Sequence, residues 1–81
     1  MTVTVHLFAA ARDLAGTSTV SVDLPTGATV AELRRVLADQ VPSLTTLLAR
    51  SSVAVNLEFA EDSHPITVED EIAVIPPVSG G

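Results

Sequence analysis

The sequence contains no cysteine and no lysine. Without cysteine there is no disulfide, no thiolate nucleophile and no thiolate-held metal, a composition that fits a reducing compartment. Without lysine, no ε-amine is present to attack an activated carboxyl group of the same chain or of a sister chain. Aromatics are almost absent: Phe8 and Phe59 are the only two. Positive charge is scarce as well, confined to Arg12, Arg34, Arg35 and Arg50, and the net charge is −6. That balance argues against nucleic acid and anionic membranes and favours basic partners with fast, salt-sensitive association. There is no long apolar run and no basic leader, so a soluble, cytoplasmic protein is the expectation. No phosphate loop or dinucleotide fingerprint is present. The two histidines, His6 and His64, lack the spacing of a metal pair and have no nucleophile beside them, so both read as surface residues and no metal site is expected.

What remains is enough for one small domain of 81 residues. Val3, Val5 and Leu7 alternate with polar residues, as do Val20, Val22 and Leu24, which predicts two strands in an antiparallel hairpin. A short helical turn over Ala9–Ala15, stopped by Gly16, lies between them. Pro25-Thr26-Gly27 is a turn. Thr29 and Glu32 have the spacing of a capping box, ahead of the helical stripe Val30, Leu33, Leu37, and Pro42 ends that helix near Gln40-Val41. Ser43 is placed to cap a second short helical segment through Leu44, Leu47 and Leu48. Val53, Val55 and Leu57 predict a third strand. A short strand is allowed around Phe59 or Ile66, and the last strand runs from Glu71 to Ile75. Glu69-Asp70-Glu71 reads as a solvated turn.

Strand, strand, helix, strand, short strand, strand predicts an α+β fold: a mixed four- to five-stranded sheet packed on one main helix. In a β-grasp arrangement the first and last strands lie side by side and parallel, and the intervening chain serves as the crossover. Phe8 is out of register with Val3, Val5 and Leu7. Ile75 is likewise out of register with Val74, so the two are candidates for one apolar patch on the far face. Burial of Phe8 in a second small core is an equal alternative. Phe59 continues the Val53-Val55-Leu57 alternation, which favours its burial.

The last strand runs into Pro76-Pro77-Val78-Ser79-Gly80-Gly81, expected to be a flexible tail over residues 76–81. The prolines remove two donors and favour an extended course. The terminal glycines contribute nothing to a fold but suit a chain that threads a narrow slot, and Ser79 to Gly81 reaches about 10 Å. With no conventional catalytic constellation elsewhere, the distinctive reactive group is the Gly81 carboxylate. A carboxylate is a poor electrophile until converted to a mixed anhydride, for example with AMP. Sulfur then displaces the nucleotide and leaves a thiocarboxylate, a polarizable anionic nucleophile.

Three blocks carry a resemblance over essentially the whole chain: Leu7-Phe8-Ala9-Ala10-Ala11-Arg12-Asp13-Leu14-Ala15-Gly16, Val55-Asn56, and Asp70-Glu71-Ile72-Ala73-Val74-Ile75-Pro76-Pro77-Val78-Ser79-Gly80-Gly81. They resemble the small subunit of molybdopterin synthase, a ubiquitin-like β-grasp sulfur carrier. The chain departs from that pattern at Glu69, where the family usually has glycine. The resemblance implies that an E1-like adenylyltransferase activates Gly81 with ATP and Mg, and that a sulfur donor protein supplies the sulfur. It also implies that the charged carrier docks on the large synthase subunit, typically as a heterotetramer, and donates sulfur to a pyranopterin precursor there. No cofactor would be bound by this chain itself, which would not be catalytic alone. Pro76, Pro77, Val78, Ser79 and Gly80 would form the tail, and Phe8, Phe59 and Ile75 the partner contacts. The alternatives are a sulfur carrier for thiamine or another pathway, a ubiquitin-like protein modifier, or a β-grasp interaction module with an inert tail.

Overall fold

The computed structural model describes residues 1–77. Thr2–Leu7 (β1) is followed by Ala9–Ala15 (α1), Thr19–Asp23 (β2), Val30–Gln40 (α2), a 3-10 turn at Pro42–Leu44, Thr45–Leu48 (α3), Ser52–Val55 (β3), Glu58–Ala60 (β4) and Ile72–Ile75 (β5). The five strands form one mixed sheet in the order β2-β1-β5-β3-β4. β1 pairs antiparallel with β2 and parallel with β5, and β3 pairs antiparallel with both β5 and β4. This is the expected α+β sheet with the first and last strands adjacent at its centre. Among the described residues no helix is long and apolar enough to cross a membrane.

The period-2 pattern decides which face is covered. Val3, Val5 and Leu7 of β1, Val22 of β2, Val53 and Val55 of β3, and Ile72 and Val74 of β5 all point into one core. α2 lays Val30, Leu33 and Leu37 on them, and Leu44, Leu48 and Ile66 fill the flanks. Burying side chains of this size is worth about 2 kcal/mol each, against about 1 kcal/mol for a helix cap, so packing holds α2 and the cap sets where it begins. Thr29 Oγ1 accepts from the Glu32 amide at 3.4 Å. The two amides before it are not left to solvent: Val30 N–H donates to His64 O and Ala31 N–H to Asp62 O, each at 3.0 Å. The polar loop 61–65 therefore serves as the outer cap of α2. At the end of α1, Gly16 adopts φ 74° and its N–H donates to Arg12 O at 2.9 Å, a left-handed stop that suits glycine.

Two local expectations are corrected. Ser43 does not cap a helix. It lies inside the 3-10 turn that Pro42 begins, and its hydroxyl donates to Leu14 O at 3.2 Å, tying that turn to α1. β3 stops at Val55 instead of reaching Leu57, because Asn56 and Leu57 have φ of 53° and 71° and form the two-residue turn into β4. Positive φ at both central residues is what a type I′ hairpin demands. The short strand falls at Phe59, while Ile66 is buried outside the sheet.

Arg34 sits off the apolar stripe of α2 but is not a solvated charge. Its Nε donates to Asp62 Oδ1 at 2.9 Å, and one terminal nitrogen donates to Leu48 O at 2.7 Å and Ser51 O at 2.8 Å. One side chain thus joins α2, the end of α3, the start of β3 and the capping loop. Charged hydrogen bonds to partly buried carbonyls contribute about 1.5–3 kcal/mol. Arg34→Ala is expected to lose about 2–3 kcal/mol in urea denaturation. A loss near 0.5 kcal/mol, the ordinary range for surface positions, would show that the clamp contributes little.

Candidate functional site

Among the described residues, no helix lies over the other face of the sheet. The strand registers place Thr19, His6, Ala73, Ala54 and Phe59 in one row across it. The row divides by chemistry. The β2 and β1 half presents Thr2, Thr4, His6, Thr19 and Ser21, whereas the β5, β3 and β4 half is apolar. Ala73 and Ala54 are small and form a floor, and larger side chains rise around it. The result is an open groove of about 360 Å³ lined by His6, Phe8, Ala54, Leu57, Phe59, Ala73 and Ile75, with Glu71 at its margin. Phe8 is 47% exposed, Phe59 75% and Leu57 92%. These values are far above those of core side chains and make this the main exposed apolar surface near the C-terminal strand.

Phe8 and Ile75 lie together on the open face, as their shared departure from the core register implies. Phe59 is a correction: it is exposed, not buried, because the Asn56-Leu57 turn reverses the chain and places Phe59 on β4 opposite Ala54. The alternation that favoured burial spans two strands and carries no continuous phase. Leu57 and the Ala54–Ala73 floor were not singled out from sequence. Ala54 and Ala73 could have been found as small residues alternating with the core-facing Val53, Val55, Ile72 and Val74.

The hairpin turn at the groove's end is fastened to the segment entering β5. Asn56 N–H donates to Glu71 O at 2.8 Å, Glu71 N–H donates to Asn56 Oδ1 at 2.9 Å, and Asn56 Nδ2 donates to Asp70 Oδ1 at 2.9 Å. The second oxygen of Asp70 accepts from Thr67 N–H at 2.8 Å. Asp70 therefore organises the Glu69-Asp70-Glu71 turn rather than serving as an acid or base. The Thr67 amide, the largest influence, and the Asn56 side chain hold its carboxyl below the ordinary value, although partial desolvation acts the other way. A depressed folded-state pKa supplies stability that is present above the unfolded value and lost as pH falls through the folded one. Asp70→Asn is accordingly expected to be less stable than the parent at neutral pH, with the difference shrinking below about pH 4. Denaturant titrations at both pH values check this, and a difference independent of pH would contradict it.

Beyond Phe59 a second, more polar depression of about 440 Å³ is bordered by Glu58, Glu61, Ser63 and His64. His64 contributes its carbonyl to the α2 cap, and His6 borders the main groove. Among the described residues there is no cluster of three side chains able to hold a metal ion, and the ion pair present is Arg34–Asp62. β5 carries the chain out of the sheet beside the groove: Ile75 lines it, Pro76 is buried and Pro77 is exposed. Val78, Ser79, Gly80 and Gly81 lie outside the described residues. An apolar groove next to the exit of a central strand suits a protein that is held by a partner while its end is handled elsewhere.

Comparison with known proteins gives one family. The model of the ThiS family matches residues 5–81. The molybdopterin synthase sulfur carrier subunit of Arabidopsis thaliana is 38% identical over 77 residues, covering 95% of this chain and 80% of the relative. The subunit of the same name from Escherichia coli is 38% identical over 81 residues, covering 95% and 96%. Among solved structures, SAMP1 from Haloferax volcanii is similar along the whole of both chains, with a TM-score of 0.89 and 31% identity.

Proposed function

The chain belongs to the ThiS family, and on that premise we propose that it is the sulfur carrier of molybdopterin synthesis, with the Gly81 carboxylate as the group that is loaded. The observation that carries this reading is the similarity, over 95% of this chain and 80% and 96% of the two relatives, to subunits named molybdopterin synthase sulfur carrier. The fold supports it, because β5 leads from the middle of the sheet into the Pro76-Pro77-Val78-Ser79-Gly80-Gly81 segment.

In this reading the chain supplies a handle and a carboxylate, and other proteins supply the catalysis. An E1-like adenylyltransferase uses ATP and Mg to convert the Gly81 carboxylate to the acyl adenylate, releasing pyrophosphate. A sulfur donor then displaces AMP and leaves the thiocarboxylate. The large synthase subunit accepts the tail, the thiocarboxylate sulfur attacks the pyranopterin precursor, and water cleaves the acyl–sulfur bond to return the carboxylate. Each carrier delivers one sulfur, so two charged carriers supply the two sulfurs of the dithiolene. Phe8, Phe59 and Ile75 hold the body against these partners while the tail reaches the reacting atoms. A chain without cysteine or lysine suits this chemistry, since no side-chain thiol or ε-amine competes for the activated carbonyl.

A second reading is favoured by the similarity to SAMP1, a small archaeal modifier protein: the same activated carboxylate is passed to a lysine of a target protein. Reconstitution distinguishes the two. With adenylyltransferase, sulfur source, large subunit and precursor present, the full chain is expected to support molybdopterin formation and Gly81 deletion to abolish it. Isopeptide conjugates without any molybdopterin would favour the modifier reading. Undiminished activity after the deletion would contradict both.

A further inference from the structure

Among the described residues other than glycine, three have positive φ: Ala9 at 49°, Asn56 at 53° and Leu57 at 71°. Leu57 lines the groove, and the other two are chain neighbours of lining residues. Ala9 directly follows Phe8, and Asn56 and Leu57 form the turn at the groove's other end. Asn tolerates this conformation, but Ala and Leu do not, because their Cβ crowds the carbonyl oxygen. The turn makes the point most sharply. Asn-Gly is the favoured pair for a type I′ hairpin, and here glycine's place is taken by a leucine that is 92% exposed. Leu57 is in the core of nothing, so burial does not explain it, and its backbone conformation opposes it. Nor is the turn loose, since Asn56 is bonded to Asp70 and Glu71 through three hydrogen bonds.

We propose that Leu57 is a specificity-determining contact: the clamped hairpin holds its side chain, at a cost in stability, for insertion into an apolar pocket of the protein that docks on the groove. The proposal rests on the sulfur-carrier reading, in which that protein is the large synthase subunit. Charge identifies the occupant's chemistry. Glu71 lines the groove, Asp70 is hydrogen-bonded to Asn56 of its end turn, Glu58 and Glu61 line the neighbouring depression that shares Phe59, and the chain carries −6 overall. A second copy of this chain, docked isologously, would set these acids against themselves. The fitting partner therefore presents an apolar surface rimmed by basic groups. Strained conformations persist where function retains them, and a rigidly presented apolar anchor lowers the ordering cost of binding.

The test pairs stability with affinity for the large subunit from the same source, using the full chain. Leu57→Gly is expected to raise Tm by roughly 4 °C, since it relieves the strained conformation, and to weaken binding by at least about tenfold. Leu57→Ala retains the strain and is expected to leave Tm near the parent value while weakening binding comparably. A merely structural role would move stability and affinity in the same direction, whereas here they move oppositely in the glycine variant. Parent-like affinity for both variants, with the parent chain itself bound, would overturn this proposal and leave the carrier reading standing. A lower Tm for Leu57→Gly would overturn the claim of stored strain. Failure of the parent chain to bind the large subunit would overturn both the proposal and the reading beneath it, and dimerisation of the parent chain lost in Leu57→Gly would assign the groove to a second copy instead.

Discussion

The parallel pairing of β1 with β5 is the constraint on which the rest of the molecule depends. It registers Val5 with Ile72 and Leu7 with Val74, so the two ends of the sequence meet at the centre of the sheet. Parallel neighbours require a crossover, and everything from α1 to the turn before β5 lies within it. α2 covers the face on which Val5, Leu7, Ile72 and Val74 converge. With β5 flanked on both sides, by β1 and β3, the segment that leads to the C-terminal end is anchored by two ladders rather than by a frayed edge. A tail that emerges from such a strand has a rigid base, and Pro76, buried at the strand's end, extends that base by one residue.

The same pairing also builds the second face. Alternation along β5 sends Ile72 and Val74 inward and leaves Ala73 and Ile75 outward, beside Ala54 of β3 and Phe59 of β4. Each strand thereby contributes both to a packed core and to an open groove. The two faces obey different rules. The covered face is filled by branched aliphatic side chains with nearly no exposure. The open face keeps small residues in its middle and large apolar ones around them, held by a hairpin whose backbone is less comfortable than glycine would make it. In the proposed reading, stability and recognition are separated onto opposite sides of a single sheet.

Much of this was legible in the sequence. The period-2 runs at Val3, Val5, Leu7 and at Val20, Val22 identify β1 and β2. Thr29, Val30, Leu33, Leu37 and Pro42 delimit α2, and the offsets of Phe8 and Ile75 from their neighbours identify the open face. What was not legible depends on contacts between distant segments. Nothing local announces that Arg34 reaches carbonyls at Leu48 and Ser51, or that loop 61–65 caps α2. Phe59 was misread for a different reason. Asn56 is a turn residue, but Leu57 after it imitates the continuing alternation of a strand, because the position that turn chemistry reserves for glycine carries an apolar side chain. The Pro-Pro and Gly-Gly of the last six residues were conspicuous in the sequence, yet the chemistry proposed for them draws on partners that the chain does not contain.

The central claim is that the Gly81 carboxylate accepts sulfur. Its most direct test is the mass of the intact protein after incubation with ATP, a sulfide source and an E1-like adenylyltransferase shown to be active on a known carrier. Tandem fragmentation is needed to place the change, since oxidation of Met1 gives nearly the same shift. The account predicts oxygen-to-sulfur exchange confined to the C-terminal residue and dependent on ATP. An unmodified Gly81 across cognate adenylyltransferases, or exchange that proceeds without ATP, would contradict it.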